Sequence, residues 1–171
     1  LPAGLGAPTG DPTSTPEPTT VPAAPHVPES ATPTPVEQPP AGEPVPIESP
    51  APVVEGLTAS ITGIEAVDGV ARGPGEVSGP SIRFTVTIAN STGSAVDLTG
   101  TVVTVDYGAD RTPAGQLYEP GAVPLPTSVA AGASASGVFV FAIPPEARGL
   151  VHITVDYAVD VAPLVFAGAV P

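Results

Sequence analysis

Cysteine, methionine, tryptophan and lysine are all missing from this chain of 171 residues, and aromatic side chains make up only 4% of it. Without cysteine there is no disulfide framework, no thiolate zinc site and no thiol nucleophile, so stability must come from a hydrophobic core. Without lysine, all the basic charge lies in four arginines, set against seventeen acids for a formal net charge of -13. That field repels phosphate backbones and anionic headgroups, which excludes nucleic acid as a natural partner. Long apolar runs are scarce as well. The longest, VAPLVFAGAV at 161–170, falls short of the roughly 20 residues a membrane-spanning helix needs and is broken by Pro163. No transmembrane segment is expected. The first residue is not methionine, the pattern left when a secretory signal or anchor has been removed, so an exported, extracellular or envelope-associated protein is expected.

Proline and glycine are abundant, and proline is unevenly spread. Residues 1–55 hold sixteen of the 26 prolines and seven acids, with no arginine and no aromatic residue. Runs such as PTSTPEPTTVPAAP at 12–25 favour polyproline II and lack amide donors for helix or sheet. The segment reads as a disordered Pro/Thr/Glu-rich linker or stalk over 1–55, with a reach of at most on the order of 170 Å. TPEPT at 15–19 and PVPIESPAP at 44–52 lack basic neighbours and make poor ligands for proline-binding domains. Thr9, Thr13, Ser14, Thr15, Thr19, Thr20, Thr32 and Thr34 sit among prolines as in O-glycosylated stalks.

From Gly56 onward the composition changes, because all seven aromatic residues and all four arginines lie there. In SIRFTVTIAN at 81–90, Ile82, Phe84, Val86 and Ile88 alternate with Arg83, Thr85 and Thr87, the signature of a strand with one wet face. Similar runs stand at 57–67, 99–107, 136–143, 149–158 and 163–168, with a weaker one at 114–118. The segments between them, at 70–80, 90–95, 108–115, 120–134 and 144–149, have turn compositions that helices would not survive. An all-β fold follows: an immunoglobulin-like antiparallel β-sandwich of about seven strands over 56–171, with a small barrel as the alternative.

The succession IRFTVTIANSTGSAVDLTGTVVTVDYGAD, then VAAGASASGVFVFAIPPEARGLVHITVDY, then PLVFAG resembles secreted actinobacterial domains with a telokin-like, immunoglobulin-type sandwich, often grouped with the DUF4352 family. The resemblance covers most of residues 57–168 and none of the tail. It implies the sandwich and an exported protein, and it brings no catalytic motif.

TVDY occurs twice, at 104–107 and 154–157. Alternation puts Val105 and Tyr107, or Val155 and Tyr157, on one face, and Thr104 and Asp106, or Thr154 and Asp156, on the other. In an immunoglobulin-like sandwich these two strands are antiparallel neighbours, so their ends lie at opposite poles and one four-carboxylate site is disfavoured. Asp106 with Asp110, and Asp156 with Asp160, are the calcium candidates. A site wants six to eight oxygens, and the D-x-x-x-D spacing lacks the alternating ligands of a calcium loop, so solvated acidic turns are the plainer account.

His26 falls in the tail, and His152 is expected on the wet face of its strand, where an isolated histidine is ordinary surface. No G-x-S-x-G elbow and no triad order occurs. GPGEVSG at 73–79 has neither the lysine nor the strand–loop–helix context of a phosphate loop. Asn90-Ser91-Thr92 fits the glycosylation sequon, but a tight turn accounts for it better. No cofactor and no catalytic residue is expected. The reading is a non-enzymatic exported protein that displays an interaction domain on a stalk, taking a protein or cell-envelope ligand at its sheet edges or at the loops over 108–135. An accessory module packed on a membrane or envelope complex is the rival, and a calcium-binding extracellular module a further one.

Overall fold

The alternation at 81–90 becomes the middle of a sheet. The computed structural model describes residues 37–171, and these form strands β1 (Val45–Pro46), β2 (Ala51–Val54), β3 (Leu57–Gly69), β4 (Gly79–Asn90), β5 (Val96–Asp97) and β6 (Val102–Tyr107), followed by β7 (Thr112–Pro113), β8 (Gly115–Leu117), β9 (Ser128–Val129), β10 (Ser134–Ala142), β11 (Val151–Asp156) and β12 (Leu164–Gly168). One sheet has the order β1-β12-β11-β6-β7 and the other β2-β3-β4-β10-β8, while β5 and β9 form a small pair of their own. All pairings are antiparallel except that of β1 with β12. The fold is the all-β sandwich expected.

The core lies between the sheets. Ile82, Phe84, Val86 and Ile88 of β4 are fully buried and face Val151, Ile153 and Val155 of β11 and Phe166 of β12 across the sandwich. Phe84 stacks on Phe139 and Phe141 of β10 with ring centroids 6.0 Å apart in both pairs. Burying large aromatic bodies in offset contact is what a chain so poor in aromatics needs at its centre. Tyr107 and Tyr157, the tyrosines of the two TVDY copies, are half-buried against this core, as rim residues.

One expectation is extended and one is corrected. The seven runs read from the sequence all form strands, and β1, β2, β5, β7 and β9, each of two to four residues, are added to them. The expected boundary of the linker at residue 55 lies too late, because residues 45–54 supply an edge strand to each sheet, and Ile47 and Ala51 are buried in the core. An edge strand pairs on one side only, so proline is tolerated where its missing amide would face outward. Residues 1–36 of the tail, with His26 and the threonine-rich positions, lie outside the described residues.

Gly137 of β10 shows how closely the loop over 122–127 is fitted. A Cβ there would meet Leu125 N at 2.9 Å, Leu125 Cγ at 3.0 Å and Phe139 Cε2 at 3.1 Å. Gly137→Ala is expected to cost about 2 kcal/mol through overpacking, read as a lower midpoint in urea denaturation. An unchanged midpoint would mean that the loop lifts away freely.

Candidate functional site

Residues 112–117 cross from one sheet to the other. β7 is the last strand of the sheet containing β6, and β8 is the last strand of the sheet containing β10. Ala114 marks the crossing, its amide donating to Val105 O at 2.8 Å. Two clefts open on this flank, and Gln116 lines both. The first, of about 470 Å³, is lined by Glu76, Val77, Pro80, Tyr107, Pro144 and Glu146 among others. The second, of about 430 Å³, is lined by Leu98, Tyr118, Val123, Leu125 and Phe139 among others.

The main chain holds the rims of both clefts. Past β8, Val70 N donates to Glu119 O at 3.0 Å and Ala122 N to Tyr118 O at 3.2 Å, which fixes Tyr118. Val123 and Val138 exchange amide bonds of 2.8 and 2.7 Å. Fixed in this way, the side chains of Tyr118 and Val123 remain 63% and 51% exposed, and Val77 on the first cleft is 75% exposed. Tyr118, Val123 and Val77 are thus large apolar groups open to water beside the two clefts. Thr101 Oγ1, on the second cleft, is buried without a hydrogen-bond partner among the described residues.

The loop over 70–78 closes on itself. Glu76 Oε2 accepts the amides of Arg72 at 2.5 Å and Gly73 at 2.8 Å, and Ala71 N donates to Ser78 Oγ at 2.7 Å. These amides hold the Glu76 carboxyl below the usual carboxylate range. Glu76 is therefore a fixed negative charge at the mouth of the first cleft. The same geometry disposes of the phosphate-loop question at 73–79, because the loop spends these amides on its own carboxylate.

The four aspartates considered for calcium are not brought together. Along the β6–β11 ladder, Asp106 lies opposite His152 and Asp156 opposite Val102, which puts the two carboxylates at opposite ends. Asp106 Oδ1 stands 2.7 Å from Arg111 Nε and 3.0 Å from His152 Nδ1. Asp156 Oδ1 accepts from Gln38 Nε2 at 2.8 Å, and Asp110 and Asp160 are exposed in turns.

His152 departs from its expected wet setting, for it is buried, with 8% of its surface exposed. It does lie on the face of β11 turned away from the core. Asp106 closes over it, and Arg111, in the left-handed region at φ 54°, lays its guanidinium on Asp106. Asp106 Oδ1 and His152 Nδ1 are close enough for ion pairing, yet neither makes a well-aligned hydrogen bond. This polar cluster lines neither cleft.

The sequon residue Asn90 is also accounted for. It is 2% exposed, and its Nδ2 donates to Ser94 O, Val129 O and Ala130 O, so a sugar on that nitrogen has no room in the folded domain.

No protein-family profile matches the chain, and no curated protein is similar to it in sequence. Solved structures are similar in fold. The yjhA protein from Bacillus subtilis, 10% identical, superposes with a TM-score of 0.55 over 68% of this chain and 85% of its own. MPT63, a secreted protein from Mycobacterium tuberculosis, 14% identical, has a TM-score of 0.50 over 74% of this chain and 98% of its own. At such identities the likeness is one of fold. No helix among the described residues is long and apolar enough to cross a membrane.

Proposed function

We propose that this is a non-enzymatic, exported protein whose immunoglobulin-like sandwich, of the telokin-like kind, is displayed by its proline-rich N-terminal segment and binds a protein or cell-envelope ligand. The flank formed by β8 and the loop over 118–127 is the contact surface. The observation that carries this reading is the pair of adjoining apolar clefts with Tyr118 and Val123 held rigidly but exposed at their edge. Loops and edges on a rigid sandwich can carry recognition without disturbing the core. His152 is engaged with Asp106 away from both clefts, which supports a binding role over an acid–base one. Export is supported by the fold shared with a protein described as secreted.

The full chain should cosediment with purified actinobacterial cell envelopes at low salt. The double variant Tyr118→Asp, Val123→Asp should bind about tenfold more weakly, since both side chains are exposed and replacing them leaves the core intact. A wild-type protein that stays in the supernatant at every salt concentration, or a double variant that pellets equally well, would remove this reading.

A further inference from the structure

We propose that the outer edge of β8 is a strand-addition site for an extended, basic peptide segment of a partner protein. This rests on the flank being the recognition surface and adds the mode of binding and the chemistry of the partner.

The two flanks of the sandwich are built alike but finished differently. On one, residues 45–54 provide the edge strands β1 and β2, and on the other residues 112–117 provide β7 and β8. The first carries a proline inside each edge strand, Pro46 in β1 and Pro52 in β2. Prolines and charges are the devices by which an exposed edge is kept from pairing. On the second flank Pro113 guards β7, whereas Gly115, Gln116 and Leu117 of β8 include neither a proline nor a charge. β8 pairs with β10 on one side, Leu117 opposite Val140 and Gly115 opposite Ala142. Among the described residues no main-chain hydrogen bond reaches the other side of Gly115–Leu117, while the flanking Ala114 N, Tyr118 O and Glu119 O are taken by Val105 O, Ala122 N and Val70 N, so the open edge is these three residues.

An unguarded edge alone would be a liability. Here it lies between two clefts. A strand of about six residues laid along β8 would extend roughly 20 Å and reach both, with main-chain bonds giving affinity and alternate side chains giving selectivity.

The charge of the site selects the partner. Glu76 and Glu146 are the only charged side chains lining the clefts, and no arginine does so. Three of the four arginines have partners outside the clefts: Arg83 pairs with Glu65 and also reaches Pro120 O at 3.5 Å, Arg111 pairs with Asp106, and Arg148 bonds main-chain oxygens. A second copy of this chain, with the same net charge of -13, would be repelled, whereas lysine- or arginine-bearing segments would be drawn in.

The test uses the full chain and three capped eight-residue peptides: one alternating lysine and valine, the same peptide N-methylated at every second amide, and one alternating glutamate and valine. The basic peptide should bind and add hydrogen-exchange protection at Gly115–Tyr118. N-methylation should weaken it about tenfold or more through lost strand pairing, and the acidic peptide should not bind. Glu76→Gln with Glu146→Gln should weaken the basic peptide about tenfold at low salt and flatten its salt dependence. Failure of the basic peptide to bind, equal binding of the N-methylated form, no added protection at 115–118, or equal binding of the acidic peptide would overturn the proposal. Envelope binding that is lost in the Tyr118→Asp, Val123→Asp variant while no peptide binds would overturn strand addition and leave the flank as the recognition surface. Envelope binding that survives in that variant would overturn both.

Discussion

Asn90→Ala should lower the melting temperature by about 10 °C, a loss of about 3 kcal/mol in a domain of this size. Asn90 ends β4 with its side chain turned into the core, and both ends of its amide are used. Oδ1 accepts Thr92 N at 2.9 Å and Thr92 Oγ1 at 2.6 Å, which shapes the turn over 90–94. Nδ2 points at Ser94 O at 2.8 Å, Ala130 O at 3.2 Å and Val129 O at 3.3 Å, which ties that turn to the segment leaving β9. Two protons shared among three carbonyls make the longer contacts weaker, but the contact to Val129 O is fully buried and the other two are partly so. Alanine removes the donors to all three carbonyls and the acceptor of Thr92 N; Ser94 O keeps Thr92 Oγ1 at 2.9 Å and Ala130 O keeps Ala133 N at 3.1 Å, so the cost is the loss of several bonds at once together with the space the amide filled.

Asn90→Asp separates the two halves of this argument. Aspartate keeps the acceptor for Thr92 but turns a carboxylate oxygen toward three carbonyls. At neutral pH it should destabilise at least as much as alanine, because it adds repulsion to the lost donors. Calorimetry on both variants decides the matter: an aspartate variant as stable as the wild type would mean that the contacts to Ser94, Val129 and Ala130 contribute nothing. The sequon at 90–92 is thus a turn device whose threonine serves Asn90 rather than marking it for a sugar.

Strands that are buried on one face write their period into the sequence, which is why Ile82 through Ile88 could be read directly, and why the TVDY copies could be placed on antiparallel neighbours with their carboxylates at opposite ends. The edge strands were hidden for a physical reason. β1 and β2 need few amides and little apolar surface, so their composition matches that of a proline-rich linker, and only the burial of Ile47 and Ala51 reveals that the chain has joined the sandwich. His152 was assigned to the correct face, but its burial depends on Asp106 from one strand and Arg111 from a turn. No local pattern reports a cover assembled from separate parts of the chain. The clefts were half legible: the loops over 108–135 stand out by composition and supply Tyr118, Val123 and Leu125, while the loop over 70–78 supplies Glu76 and Val77 through packing that periodicity does not encode.

Arg148→Met should cost about 3 kcal/mol, and it should do so mainly by loosening the C-terminal strand. Arg148 is 8% exposed and, among the described residues, has no Asp or Glu side chain within ion-pair distance. Its guanidinium instead donates from Nη1 to Pro171 O at 2.9 Å, from Nη2 to Ser81 O at 3.1 Å and from Nε to Ile143 O at 3.2 Å, and its own carbonyl accepts Val170 N at 3.0 Å. One side chain therefore joins the start of β4, the end of β10 and the segment following β12. Burying a guanidinium costs several kcal/mol, which three charge-assisted bonds of about 1.5–3 kcal/mol each offset with little to spare. The arginine itself is close to neutral for stability, and the large effect comes from removing it, because three main-chain oxygens on separate parts of the chain lose their shared donor at once. Methionine fills most of the space without donating, so it isolates this effect from that of a cavity. Arg148→Lys should recover less than half of the loss, since one ammonium cannot serve three carbonyls spread around a planar fork. Hydrogen exchange should speed up at Val170 and along β12 and remain slow at Phe84 and Val86. A methionine variant as stable as the wild type would show that the buried charge costs as much as its bonds return, and would leave Arg148 without a role in holding the sandwich closed.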